Sequence, residues 1–122
     1  MLLKAILVGI GGFAGAIARF GINELLKDKI EHFQLGTLAV NLLGSFLLSA
    51  LLFGVFQPRL LSHEYKLLLT VGFCGSLTTM STFAVDFFEL SSASHIIQAI
   101  VYLLLNVLGC IFMVWLAKAI FT

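Results

Sequence analysis

The chain is 122 residues long, 61% hydrophobic and 11% charged, with seven basic and six acidic residues and a net charge of +1. A soluble domain carries charge on roughly a quarter of its residues, so this composition excludes a water-soluble globule. The near-neutral balance, with a pI near 7.8, gives no basic field for nucleic acid. The charges cluster at Lys4 to Glu31, at Arg59 to Lys66, at Asp86 and Glu89, and at Lys118, with long charge-free runs between them. A bilayer core of about 30 Å takes roughly 20 apolar residues as helix. Four transmembrane helices follow, with approximate spans 3–26, 35–56, 66–89 and 95–120. The chain reads as one all-α membrane domain over residues 1–122.

The first span carries Gly9, Gly11, Gly12, Gly15 and Ala16. Gly11 and Gly15 form a GxxxG face, which reads as close helix packing. Met1 to Lys4 and the Ala14-Gly15-Ala16 triplet resemble a cleavable leader, but the apolar pattern runs on through Phe20 and Leu25, which favours a retained span. Arg19 cannot lie comfortably in lipid and is expected to snorkel to the interface or to pair with a carboxylate.

The second span places Thr37, Asn41, Ser45 and Ser49 four residues apart, on one helical face. In the third span, Gly72 to Phe83 packs two glycines and five hydroxyl residues into one apolar run. Glycines and clustered Ser/Thr weaken a helix, and non-helical backbone at membrane depth survives only where protein buries it or a cavity takes it up. A third helix broken in mid-membrane is therefore expected. Freed carbonyls there suit a hard cation, while hydroxyls such as Ser81 and the ring edge of Phe83 suit an anion. The alternative is a packing contact whose hydroxyls bond back to their own helix. The fourth span repeats the four-residue spacing with Tyr102, Asn106 and Cys110. The two stripes read either as a shared polar seam or as helix-packing glue, since Gly44 and Gly109 adjoin them.

The connections, about Lys27 to Gln34, Gln57 to Glu64 with the single proline Pro58, and Leu90 to Ser94, are short, so neighbouring helices run antiparallel. With four spans both termini share a side. That side carries Lys4, Arg59, Lys66 and Lys118 against Lys27 and Lys29 opposite, a weak orientation bias. Such a chain can insert both ways round, which permits an antiparallel homodimer. Four helices can hardly enclose a pathway alone, so oligomerisation is expected. Cys74 and Cys110 lie in apolar segments and read as free thiols rather than a disulfide framework. His32, His63 and His95 fall one per connection and read as interfacial residues, not metal ligands.

Three motifs carry a family resemblance: Gly-Gly-x-x-Gly-Ala-x-x-Arg from Gly11 to Arg19, Gly-Thr-Leu-x-Val-Asn-x-x-Gly-Ser from Gly36 to Ser45, and Gly-Phe-Cys-Gly-Ser-Leu-Thr-Thr-x-Ser-Thr-Phe from Gly72 to Phe83. In length, span order and motif position the chain resembles the CrcB/Fluc fluoride channels. The resemblance implies a dual-topology antiparallel homodimer in the bacterial inner membrane. Two pores would export fluoride passively and lower its cytoplasmic toxicity. It also implies a structural, non-transported Na+ held by backbone carbonyls of Gly75 and Thr78 from each subunit. By motif position, Asn41 becomes a pore-lining asparagine and Arg19 a structural or vestibule arginine. Thr37, Ser81, Tyr102 and Asn106 become pathway residues, and Phe83 one of a pair of ring contacts to fluoride. Met80 stands where the family usually has the other phenylalanine. Methionine fills similar volume without a quadrupole edge, so weaker conduction is expected.

Two other classes share the four-span pattern. A small multidrug-resistance-type exporter driven by proton exchange needs a membrane-embedded carboxylate. The first span has none before Glu24, and Asp86 and Glu89 read as lying at the edge of the third. A non-transporting assembly protein would use the glycines for packing only. No base–nucleophile pair within the spans supports an enzyme.

Overall fold

The computed structural model describes residues 1–55 and 61–122; Pro58 and Arg59, assigned above to the second connection, lie outside them. The described residues are helical, with no strand among them. Helix α1 runs Leu2–Leu26. Helix α2, Leu35–Ala50, widens into π-helical turns over Leu51–Val55. The third span begins as α3, His63–Leu67, continues with π-helical turns over Leu68–Cys74 and ends in the short α4, Gly75–Leu77. Helix α5 covers Met80–Ser92 and α6 covers Ile96–Phe121. Four stretches, Leu2–Leu26, Leu35–Val55, His63–Ser92 and Ile96–Phe121, are long and apolar enough to cross a membrane.

The surface is that of a chain dissolved in hydrocarbon. Phe13, Phe20, Phe88, Ile97 and Trp115 are all exposed, while a small core gathers Leu38, Phe83, Leu90, Ala99 and Tyr102. Lipid removes most of the hydrophobic reward for helix association, so packing depends on close backbone approach and hydrogen bonds. Glycine supplies the approach. A Cβ on Gly11 would run into the carbonyl of Leu68, and one on Gly15 into Ser76 Oγ and the carbonyl of Phe73. Facing them, a Cβ on Gly72 would stand 2.6 Å from the Val8 carbonyl oxygen. Ser76 Oγ closes this seam by donating to Gly12 O at 2.8 Å. The GxxxG face of the first span is thus packed on the third.

Connections are tight. The α1–α2 linker turns through Asp28 and His32, both at positive φ, and the α5–α6 linker turns through Ser94 at φ 63°. His95 N donates to Leu90 O at 3.0 Å and fixes the second turn.

Candidate functional site

Between α4 and α5 the backbone leaves the helical region at two residues. Thr78 adopts φ −83° and ψ 155°, and Thr79 φ −151° and ψ 118°. Extended residues inside an apolar span need partners for their peptide groups, and for Thr79 one side chain supplies both. Asn41 Oδ1 accepts from Thr79 N at 2.8 Å, and Asn41 Nδ2 donates to Thr79 O at 3.2 Å. A single carboxamide thus stands in for a neighbouring strand. The Thr79 amide, which would close on the carbonyl of Gly75 in a continuous helix, is committed to Asn41. Helix α5 then restarts on Thr79 as its N-cap, whose hydroxyl accepts from Thr82 N at 3.2 Å.

The second proton of Asn41 Nδ2 goes to Asn106 Oδ1 at 2.9 Å, joining α2 to α6. Asn106 Nδ2 donates to Tyr102 O at 3.0 Å. The chain of bonds requires these amide orientations, because only Oδ1 of Asn41 can accept from a backbone N–H. Asn41, Asn106, Thr79 and Thr37 are all buried. The stripes on the second and fourth spans therefore meet as a shared polar seam.

Beyond Asn106 the seam turns aromatic and acidic. The rings of Phe83 and Tyr102 lie 5.5 Å apart, and Phe33 from the α1–α2 linker meets Tyr102 edge-on at 5.4 Å. Tyr102 donates its hydroxyl proton to Asp86 Oδ2 at 2.7 Å. That proton is thereby occupied. Asp86 was expected at the edge of the third span; the structure keeps it near that end but leaves it only 7% exposed. A cavity of about 230 Å³ reaches it from beneath the α1–α2 linker, with Thr37 and Thr82 on its walls. Sequence reading missed Asp86 because a carboxylate near a span's end looks like an interfacial charge. The signal available was Tyr102 on the facing helix.

The remaining candidates lie towards a more open face that the same seam borders. A groove of about 440 Å³ is bordered by Asn41, Gly75, Thr78, Met80, Phe83 and Asn106. Gly75 and Ser81 are exposed, Thr78 is half-buried, and Met80 is 72% exposed. Ser81 Oγ lies 3.3 Å from Thr79 Oγ1. Half-buried Arg19 pairs with no carboxylate among the described residues; its Nη1 makes a long contact of 3.5 Å to Thr78 O. Cys74 is buried and Cys110 half-buried, both as free thiols bordering the same groove.

A family profile described as "CrcB-like protein, Camphor Resistance (CrcB)" matches residues 6–118. The chain belongs to the CrcB family. Among relatives in that family, the "Fluoride-specific ion channel FluC" of Methanocaldococcus jannaschii is 44% identical over 121 residues, 98% of this chain and 95% of that protein. A protein of the same description from Pseudoalteromonas translucida is 44% identical over 112 residues, 90% of this chain and 92% of its own length. One from Nautilia profundicola is 46% identical over 106 residues, covering 85% and 82%. With four membrane-capable helices, this CrcB chain is a multi-pass membrane protein.

Proposed function

We propose that the chain is a fluoride-specific ion channel, as its curated relatives are described, and not an enzyme. The observation that carries the reading is the buried seam of neutral hydrogen-bonding groups, Asn41–Thr79–Asn106, running past the ring of Phe83. Fluoride is small and strongly hydrated, and moving such an ion into low dielectric is costly unless donors replace its water. Conduction also requires release, so binding must be favourable but weak and spread over several sites. Amide, hydroxyl and ring-edge donors meet both demands better than a fixed lysine. Asn106, through its remaining Nδ2 proton, Thr37, Ser81 and Phe83 are the proposed donors, while Asn41, with both amide protons committed, lines the pathway and fixes its backbone. Tyr102 acts through its ring, since its proton is held by Asp86. The Asp86 carboxylate orients Tyr102 and disfavours a fluoride ion lingering beside it.

The finer reading is an antiparallel, dual-topology homodimer in the bacterial inner membrane, with two pores that let fluoride leave the cell down its gradient. The interruption at Thr78–Thr79 lies in mid-membrane in this reading, and a second, inverted copy covers the open groove. Its support is the exposure of Gly75, Met80 and Ser81, polar or pathway positions left uncovered by one chain. The same face fits a structural Na+. The Gly75 carbonyl has lost its usual amide partner to Asn41, and carbonyl oxygens suit a hard cation. Gly75 and Thr78 of each copy would hold it, with Arg19 sharing the Thr78 oxygen. Bound there, the ion would supply positive charge that ties the two copies together without itself being transported.

Buried Asp86 favours one competing reading, a proton-coupled exporter. Fluoride efflux from liposomes carrying the purified protein separates the two, with chloride as control and the proton gradient collapsed. The channel reading expects fluoride, and not chloride, to leave without a proton gradient. Efflux only while a gradient is maintained would reject it.

A further inference from the structure

Histidines from two separate linkers meet. His32, in the α1–α2 linker, stacks on His95 at the start of α6, with ring centroids 4.1 Å apart and planes inclined by 23°. Neither ring is required by its backbone. His95 makes no side-chain cap to α6, and His32 sits at φ 53°. The next residue after His32 is Phe33, whose ring meets Tyr102 edge-on. Tyr102 in turn packs on Phe83 and bonds Asp86. The same linker walls the cavity that reaches Asp86, through Lys27, Asp28, Phe33 and Gln34. The stack therefore pins the segment that seats Phe33 over the proposed pathway.

We propose that the His32–His95 stack is an acid-sensitive latch on the vestibule beneath the α1–α2 linker. When both imidazoles are protonated the stack carries two like charges. The linker then loosens, Phe33 lifts from Tyr102, and fluoride passes more readily. This inference rests on the channel reading.

The surrounding charges do not cancel the repulsion. The elements that meet here bring Glu24 on α1, Lys27, Asp28, Lys29 and Glu31 on the linker, and Glu89 and Asp86 on α5, Asp86 being buried and bonded to Tyr102; α6 brings no charged residue before Lys118. Glu31 Oε1 lies 3.3 Å from His32 Nε2, but its side chain is 89% exposed, and an ion pair so wet is weak. Two unit charges about 4 Å apart in water shift an equilibrium by about fivefold. Glu31 trims that effect, so removing its charge enlarges it.

The test is fluoride efflux from liposomes at about pH 7.5 and about pH 5.5, either side of the ordinary histidine range, with leak through protein-free vesicles subtracted. His95→Phe is the informative variant, because it keeps a ring in the stack, removes the proton site and costs no helix cap. The wild-type rate is expected to rise about fivefold in acid. His95→Phe should stay at its neutral rate at both values, and Glu31→Gln should respond more strongly than wild type. An unchanged wild-type rate, or the same acid rise in His95→Phe, overturns the latch. If wild type conducts no fluoride at either value, the channel reading fails instead. The latch is then judged by melting temperature in detergent, where wild type should lose several degrees more than His95→Phe on acidification. Equal losses overturn it.

Discussion

The two sides of the third span differ in how complete they are. On the inner side, Asn41, Thr79, Asn106, Tyr102 and Asp86 satisfy one another within a single chain, and every one of them is buried. On the outer side, Gly75 and Met80 are left exposed along an apolar groove that also reaches Asn41 and Asn106, and Ser81 is exposed beside Met80 in sequence. Intramembrane polar groups are costly without partners, so the difference assigns two kinds of work. The inner side shapes the backbone and, in the proposed channel, lines the pathway. The outer side is the face that a second copy covers in the proposed dimer.

Variants can break that comparison, beginning with the inner side. Asn41→Leu orphans the Thr79 N–H, the Thr79 carbonyl and Asn106 Oδ1, at about 1–3 kcal/mol each. Fluoride efflux per folded protein should fall by about a hundredfold or more, or the protein should fail to accumulate. Near-normal efflux would mean that the seam is packing only. Tyr102→Phe leaves the buried Asp86 carboxylate without its donor. A hydrogen bond to a charged group is worth about 1.5–3 kcal/mol, so efflux should drop about tenfold or more. Asp86→Asn, which keeps an acceptor for Tyr102, should lose less; a larger loss would move the emphasis from orientation to charge.

The packing seam behind both sides supplies a stability contrast. Gly15→Ala forces a methyl against Ser76 Oγ and the Phe73 carbonyl, whereas Gly9→Ala meets nothing within 4 Å. The first should destabilise by about 1–3 kcal/mol and lower the melting temperature in detergent, and the second should leave it unchanged or raise it. On the outer side the smallest effect is expected. Met80→Phe restores a ring edge on the open face and should raise fluoride efflux a few-fold, since an aromatic edge contact is worth about 0.5–1.5 kcal/mol. An equal or lower rate would reject the expectation that Met80 weakens conduction.

Helical spacing made much of this legible. Four-residue steps placed Asn41 and Asn106 on facing stripes, and glycine steps placed Gly11 and Gly15 on a packing face. Both patterns are local and survive in one dimension. What the stripes touch is not local. That Asn41 pairs with the peptide groups of Thr79 depends on how α2 lies against the third span, and no spacing encodes it. Asp86 was misjudged for a related reason, because its burial comes from a linker folding over it. Arg19 reaches a backbone carbonyl that the extended residues present, a partner that spacing does not encode. The meeting of His32 with His95 was invisible because it joins two turns, each set by its own positive-φ residue. Composition and periodicity also cannot say what covers Met80, since in the proposed dimer that surface belongs to a second molecule.

The central claim is that conduction needs the inner seam of one chain and a second copy over the groove. Native mass spectrometry of the fluoride-conducting preparation tests it most directly. The account predicts particles of two chains, twice the 13.3 kDa of one, and no fluoride efflux from any monomeric fraction. Monomers that conduct fluoride selectively would contradict it.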